Sequence, residues 1–172
     1  YLGDDDFYYT WKVRASDGTS YGNFSGTFNL TIDAFVSLTL TTNSTNFGTM
    51  IQGENDNTTD DDPLPLVMDN DGNVFENVTL YGLDDLWDSE ANPTDKFQFK
   101  IDNTTELPSF NFTDSVTSFT DIPTAAVLSV VNLNYHDKND SAEVDIKIEV
   151  PPGESAGTKS ANIVFEAIRS NF

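Results

Sequence analysis

Cysteine is absent from the 172-residue chain, and histidine occurs only once, as His136. The lack of cysteine excludes thiol catalysis, zinc–thiolate sites, iron–sulfur clusters and disulfide bonds. A serine hydrolase needs a histidine as its general base, but His136 lies in a polar segment typical of a turn, and no Gly-x-Ser-x-Gly motif occurs. We therefore interpret His136 as a solvated loop residue.

Basic residues are scarce: 8 Lys and Arg stand against 29 Asp and Glu, for a formal net charge of −21. Because phosphate-binding proteins need positive charge, this balance excludes nucleic acid and anionic lipid as partners. No apolar run approaches the roughly 18 residues of a transmembrane helix, so we expect no membrane insertion. The sequence begins at Tyr1 rather than Met, and we expect a mature or cut product, or a sequence that starts in the middle of a protein.

Apolar content is sufficient for a packed core, because 45 of the 172 residues are Leu, Ile, Val or Phe. Disordered chains typically have less than about 20% of these residues. Apolar and polar residues alternate with period two along most of the chain, which predicts half-buried strands. The pattern is clearest in 142–150, where Glu143, Asp145, Lys147 and Glu149 are predicted to face outward. The predicted strands cover 7–14, 28–33, 35–40, 64–68, 74–80, 97–101, 126–135, 142–150 and 161–168.

Polar turns join these short strands, which predicts an all-β fold, an antiparallel Ig-like or jelly-roll-like β-sandwich preceded by an N-terminal β-hairpin. The Asp-Gly pair in 69–73 predicts a second hairpin between 64–68 and 74–80. Only 81–90 has a pattern that allows a short helical turn.

The domain boundary is predicted near Asp33–Ala34, which gives an N-terminal hairpin over 1–33 and a sandwich over 34–172. A 33-residue block is below the roughly 40 residues at which an unstapled domain folds alone. It therefore packs on the second block, pairs with upstream strands, or inserts into a neighbouring subunit by strand addition. The apolar side chains that need such a partner are the predicted assembly residues Tyr9, Trp11, Val13, Phe28, Leu30 and Ile32.

Asn-x-Ser/Thr sequons occur eight times, where the composition alone predicts roughly three. An Asn- and Thr-rich β protein produces some sequons by composition, whereas the excess favours a heavily glycosylated extracellular surface. We predict N-linked glycans at Asn23, Asn29, Asn43, Asn57, Asn77, Asn103, Asn111 and Asn139.

Acidic residues cluster in predicted loops, including Asp4–Asp6. Calcium takes six to eight oxygen ligands, and carboxylates in loops between strands can supply them. One interpretation of the acidic clusters is therefore bound Ca²⁺. The other is an acidic surface that is simply exposed to solvent. The spacing after Asp69 is not that of an EF-hand, because Val74 stands where glycine is needed. The favoured calcium loops contain Asp60, Asp61, Asp62, Asp84, Asp85 and Asp88. Because water keeps acids in such loops ionised, we expect no glycosidase.

Aromatic residues allow two interpretations. Their period-two placement favours sandwich core, while a sugar-binding platform is the alternative. Trp87 lies in an acidic loop segment and is predicted to be the exposed aromatic.

Two stretches carry a resemblance to known families. Segment 7–18, FYYTWKVRASDG, and segment 24–33, FSGTFNLTID, look like the last two strands of a fibronectin type III domain, with Phe24 where tryptophan is usual. Segments 46–53, 65–74 and 78–80 resemble a pattern of secreted archaeal surface proteins and of TasA/camelysin-like fibre-forming sandwiches. Segment 159–167 is similar to the closing strand of those domains.

The resemblance implies a fold and a surface location but no catalytic residue. With the sequence patterns, it leads us to expect a non-enzymatic, extracellular structural subunit of an archaeal cell-surface filament, pilus-like thread or S-layer. Its partners would be copies of itself, joined by donor-strand addition. The alternative is a monomeric adhesin or carbohydrate-binding module that reads glycans with Trp87 and bound calcium.

Overall fold

The computed structural model of the protein describes residues 7–171, so Asp4–Asp6 and the start of the predicted hairpin block lie outside the described residues. It confirms the all-β prediction, because the described chain contains strands and turns and no helix. Two compact units are present, one extending through Phe35 and one covering Val36–Ser170. The strands are β1 Phe7–Trp11, β2 Phe28–Ile32, β3 Leu38–Thr42, β4 Asn55–Asn57, β5 Leu66–Asn70, β6 Glu76–Gly82, β7 Phe97–Asp102, β8 Thr120–Asp121, β9 Val127–Leu133, β10 Ser141–Glu149 and β11 Ile163–Arg169.

The first unit is a two-stranded antiparallel ribbon of β1 and β2, called the ribbon below. Tyr9 lies opposite Leu30, and Trp11 lies opposite Phe28. Directly opposed residues share a face, so the predicted apolar positions of both strands lie on one side and Thr10, Asn29 and Thr31 lie on the other.

The second unit is built from two antiparallel sheets. The larger has six strands in the order β3-β5-β10-β7-β8, with the short β4 also paired to β10, and the smaller has three strands in the order β11-β6-β9. Residues from both sheets form one buried cluster, which makes the unit a sandwich. Its fully buried members include Met68, Val78, Leu80, Phe99, Ile101, Val130, Leu133, Val144 and Ile146.

The predicted second hairpin is wrong. β5 pairs with β3 and β10 in the larger sheet, whereas β6 pairs with β11 and β9 in the smaller one. Asn70 explains the crossing, because its buried amide donates to the carbonyls of Val74 and Leu133 at 2.9 and 3.1 Å and its Oδ1 accepts from the Gly72 amide. The side chain thus holds a turn that carries the chain between the sheets.

The helical turn considered for 81–90 is not formed, because the chain leaves β6 at Gly82 and continues in turns and bends. Asp145 lies on the outer face of β10, as the alternation predicts, but it is not open to solvent. It is only 1% exposed, because Thr58 and Lys100 cover it: Thr58 Oγ1 donates to Asp145 Oδ1 at 2.8 Å, and Lys100 Nζ lies 2.9 Å from Oδ2.

Candidate functional site

The apolar face of the ribbon is the largest uncovered group of predicted site residues. All six predicted assembly side chains are between 40% and 56% exposed, and the five that lie in β1 and β2 share one face. Trp11 stacks on Phe28 with ring centroids 5.4 Å apart. A two-stranded ribbon by itself has no second layer that could bury these side chains. The members of this face are Tyr9, Trp11, Phe28, Leu30 and Ile32, and Val13 follows directly after β1.

The loop between β1 and β2 is held by local contacts. Asp17 accepts hydrogen bonds from the amides of Ser20 and Thr19, which lower the pKa of its carboxyl to about 2. The Arg14 guanidinium lies 3.8 Å from the ring centroid of Tyr21. Residues 1–35 contain five acidic and two basic residues, so this part of the chain carries a net charge of −3 out of the total of −21.

The second unit has a groove of about 920 Å³ between its two sheets, on the side of β3 and β11. Its lining includes Leu40 from β3, Leu66 from β5, Ile148 from β10 and Phe165 from β11. Among the described residues, β3 pairs only with β5 and β11 pairs only with β6. The groove is therefore flanked by two edge strands, which present backbone groups for further pairing.

An ion-paired loop forms one wall of this groove. Glu154 is buried and accepts hydrogen bonds from the amide and hydroxyl of Ser89, and Lys159 pairs with both Glu154 and Asp88. The hydrogen bond from Lys159, followed by those from Ser89, lowers the pKa of Glu154 to about 2. The loop therefore keeps its charge pairing over the ordinary pH range.

The outer face of the larger sheet carries a set of paired charges. Lys100 pairs with Asp145 and Asp102, and it lies with Lys147 over the ring of Phe119, each ammonium 5.7 Å from the centroid. Glu143 lies on the same face. Burial, followed by the charges of Asp145, Asp61 and Asp102, raises the pKa of Glu143 to about 7. These contacts connect strands and leave no cleft between the carboxyl groups.

The sequon asparagines all lie at the surface of the part of the chain that the structure describes. Three are exposed, at Asn23, Asn29 and Asn43, and the other five are partly exposed, at Asn57, Asn77, Asn103, Asn111 and Asn139. Asn29 lies on the ribbon face opposite Phe28 and Leu30, as its place in the alternation predicts. Glycosylation itself stays a prediction.

The acidic loops form no metal-binding group in the described part of the chain. Within residues 7–171, no group of three or more His, Cys, Asp or Glu side chains is placed to hold a metal ion. Asp84, Asp85 and Asp88 accept hydrogen bonds from Asn162, the Asn92 amide and Ser155 respectively. Asp60 accepts from the amide of Asp62 at 3.3 Å, and Asp61 has a positive φ of 64°. Calcium binding by these loops stays a prediction.

Two residues that the sequence singled out have defined surroundings. Trp87 is not exposed as predicted: it is 6% exposed, belongs to the core, and donates through Nε1 to the carbonyl of Lys96 at 3.2 Å. Its large apolar surface is covered because the segment after β6 folds back on β7. His136 is exposed in the turn after β9, beside Tyr135.

Comparison with known proteins yields no match: no protein-family model, no curated protein and no solved structure is similar to the chain at a significant level. In the described portion, no helix has the length and apolar character that a membrane crossing requires.

Proposed function

We propose that the protein is a non-enzymatic, extracellular structural subunit that polymerises into a cell-surface filament or surface layer by strand addition between subunits. Its partners are copies of itself. The observation that carries this proposal is the ribbon, which combines an ordered register with six exposed apolar side chains, five of them on one face.

The energetic argument rests on that face. Burying a large apolar side chain contributes about 1.5–3 kcal/mol, so covering six half-exposed ones supplies ample driving force for association. A large exposed apolar face on a soluble protein marks an interaction surface. Both strands of the ribbon also have an outer edge, which suits main-chain pairing with another sheet.

The eight surface sequons support the extracellular part of the proposal. Glycans keep acidic, β-rich surfaces soluble and shield them, and the glycan position at Asn29 lies on the ribbon face that association leaves open. Peptide mass spectrometry of the native protein tests this: carbohydrate on several of the eight asparagines is expected, and bare asparagine at all eight contradicts an extracellular glycoprotein.

Carbohydrate recognition by Trp87 is the rival function, and the burial of that side chain disfavours it.

Electron microscopy of the full chain tests the polymer directly. Ordered threads or sheets are expected, and the Leu30→Asp variant is expected to remain dispersed, because a carboxylate on the apolar face opposes its burial. Wild-type protein that stays as separate particles at all concentrations contradicts the proposal.

A further inference from the structure

The two sheets of the second unit are unequal in width. The larger sheet is five strands wide, because β4 and β5 pair with the same edge of β10, and the smaller sheet has three strands. A narrow sheet leaves part of the inner face of a wider sheet uncovered. On the β3 side, Leu38 and Leu40 of β3, together with Phe47 and Met50 of the segment after it, pack against the core but remain partly exposed. The sandwich therefore lacks cover on one side.

The two ends of the smaller sheet differ. At the β9 end, segment 111–116 already uses the outer edge, because the Asn111 and Val116 amides donate to the carbonyls of Val131 and Ser129 at 2.8 and 3.0 Å. At the other end, β11 pairs only with β6 among the described strands. The open end of the smaller sheet thus adjoins the groove.

β11 presents a regular alternation to that groove. Ile163, Phe165 and Ala167 pack toward the core, whereas Glu166 and Ile168 are exposed on the outside. A strand added beside β11 with the same alternation places its apolar residues over the uncovered floor and its polar residues in water. The ribbon has this alternation in both of its strands.

We propose that the groove between β3 and β11 receives the ribbon of a second copy of the chain, which pairs with the edge of β11 and extends the smaller sheet from three strands to five. This inference rests on the proposed function and adds the acceptor site to it. The apolar face of the ribbon covers the inner faces of β3 and β5, and Asn29 faces outward.

Charge favours the ribbon as the occupant. Residues 36–171 contain 24 acidic and 6 basic side chains, a net charge of −18, whereas residues 1–35 contain 5 acidic and 2 basic ones, a net charge of −3. The acidic second units of two copies repel each other, and the ribbon approaches the groove with much less of that repulsion. The ribbon supplies an apolar face and free strand edges, and the groove supplies an apolar floor beside the edge of β11.

The absence of cysteine allows a clean cross-linking test. One preparation carries Thr10→Cys or Thr31→Cys on the polar face of the ribbon, and the other carries Val164→Cys, Glu166→Cys or Ile168→Cys on the outer face of β11. Paired positions on neighbouring strands have Cβ atoms about 4.5–5.5 Å apart, which permits a disulfide after a small adjustment. Because Thr31→Cys also removes the Asn29 sequon, Thr10→Cys serves as the variant that retains it.

The two preparations are mixed, oxidised, and resolved on a non-reducing gel. A ribbon–β11 heterodimer is expected for at least one pairing, at roughly tenfold or more over the yield with Thr124→Cys, an exposed position outside the groove. If no pairing gives more heterodimer than the Thr124→Cys control, the proposed acceptor site is wrong. A double variant, Thr10→Cys/Glu166→Cys, tests the alternative. If its disulfide forms only within one chain, the proposal of a second copy is wrong and the groove binds the ribbon of the same chain.

The Leu30→Asp variant separates this inference from the proposed function. If Leu30→Asp abolishes assembly while the cross-links stay at the control level, the ribbon drives polymerisation through another surface and only the acceptor site is wrong. If Leu30→Asp assembles like the wild type, both proposals are wrong.

Discussion

Trp11 and Phe28 lie directly opposite each other across the ribbon, with ring centroids 5.4 Å apart and ring planes inclined by 19°. Each side chain nevertheless remains nearly half exposed, at 49% and 46%. A stacked aromatic pair contributes about 0.5–1.5 kcal/mol beyond its buried area, which helps to fix the register of β1 and β2. The pair therefore orders a ribbon whose outer apolar surface is still available to a partner.

The buried ion pair of Lys100 and Asp145 predicts a large loss of stability on substitution. Lys100→Met leaves the carboxylate of Asp145, which is 1% exposed, without its cationic partner. We expect the free energy of unfolding to fall by about 3–5 kcal/mol, measured by urea denaturation. Lys96→Met is the matched control, because Lys96 pairs with the partly exposed Glu149. An ion pair of this kind contributes only about 0–1 kcal/mol to the free energy of unfolding. Equal losses in the two variants would show that Asp145 does not depend on Lys100.

The raised pKa of Glu143 predicts a pH-dependent stability. Burial is the main cause, and the neighbouring carboxylates of Asp145, Asp61 and Asp102 add to it, raising the pKa of Glu143 to about 7. The folded state therefore binds this proton more tightly than the unfolded chain, so the contribution of Glu143 to the free energy of unfolding falls as pH rises from about 4.5 to about 7.

Glu143→Gln removes this titration. At about pH 8 the variant is expected to be more stable than the wild type by about 1–2 kcal/mol, after allowance for the solvent that still reaches the side chain. Below about pH 4 the two proteins are expected to match. Glu166→Gln, at an exposed position on β11, is the control; an identical pH profile for wild type and Glu143→Gln would rule out a perturbed Glu143.

Asn70 is predicted to be essential for the crossing between the sheets. Asn70→Leu removes the donors to the Val74 and Leu133 carbonyls and the acceptor for the Gly72 amide. Each buried backbone group left without a partner costs about 1–3 kcal/mol. Asn46→Ala, which loses one hydrogen bond to the Gly48 amide in an exposed turn, is expected to cost less than about 1 kcal/mol. Thermal unfolding that ranks the two variants equally would contradict the role given to Asn70.

Period-two alternation predicted most strands correctly, because it records which side chains face the core. The prediction for 142–150 corresponds to β10 Ser141–Glu149, and that for 97–101 corresponds to β7 Phe97–Asp102. The short strands β4 and β8 were not predicted, since three and two residues are too few to show a period. Alternation also carries no information on pairing, which explains why β5 and β6 were wrongly joined in one hairpin.

The candidate site was predictable in part. The shared face of Tyr9, Trp11, Phe28 and Leu30 follows from alternation together with the register of a hairpin. The groove beside β11 was not predictable, because it arises from the unequal widths of two sheets whose strand orders depend on contacts distant in sequence. The burial of Trp87 and Asp145 was not predicted for a related reason. Both side chains are buried by residues from other segments, including Lys96, Thr58 and Lys100.

The most direct test of the central claim compares two adjacent substitutions on opposite faces of the ribbon, Tyr9→Asp and Thr10→Asp, by sedimentation velocity over a concentration series. Tyr9 belongs to the apolar face and Thr10 to the polar face. Because burying a large apolar side chain contributes about 1.5–3 kcal/mol, Tyr9→Asp is expected to weaken self-association by about tenfold or more. Thr10→Asp is expected to assemble like the wild type. Equal self-association by Tyr9→Asp, Thr10→Asp and the wild type would contradict assembly through the ribbon.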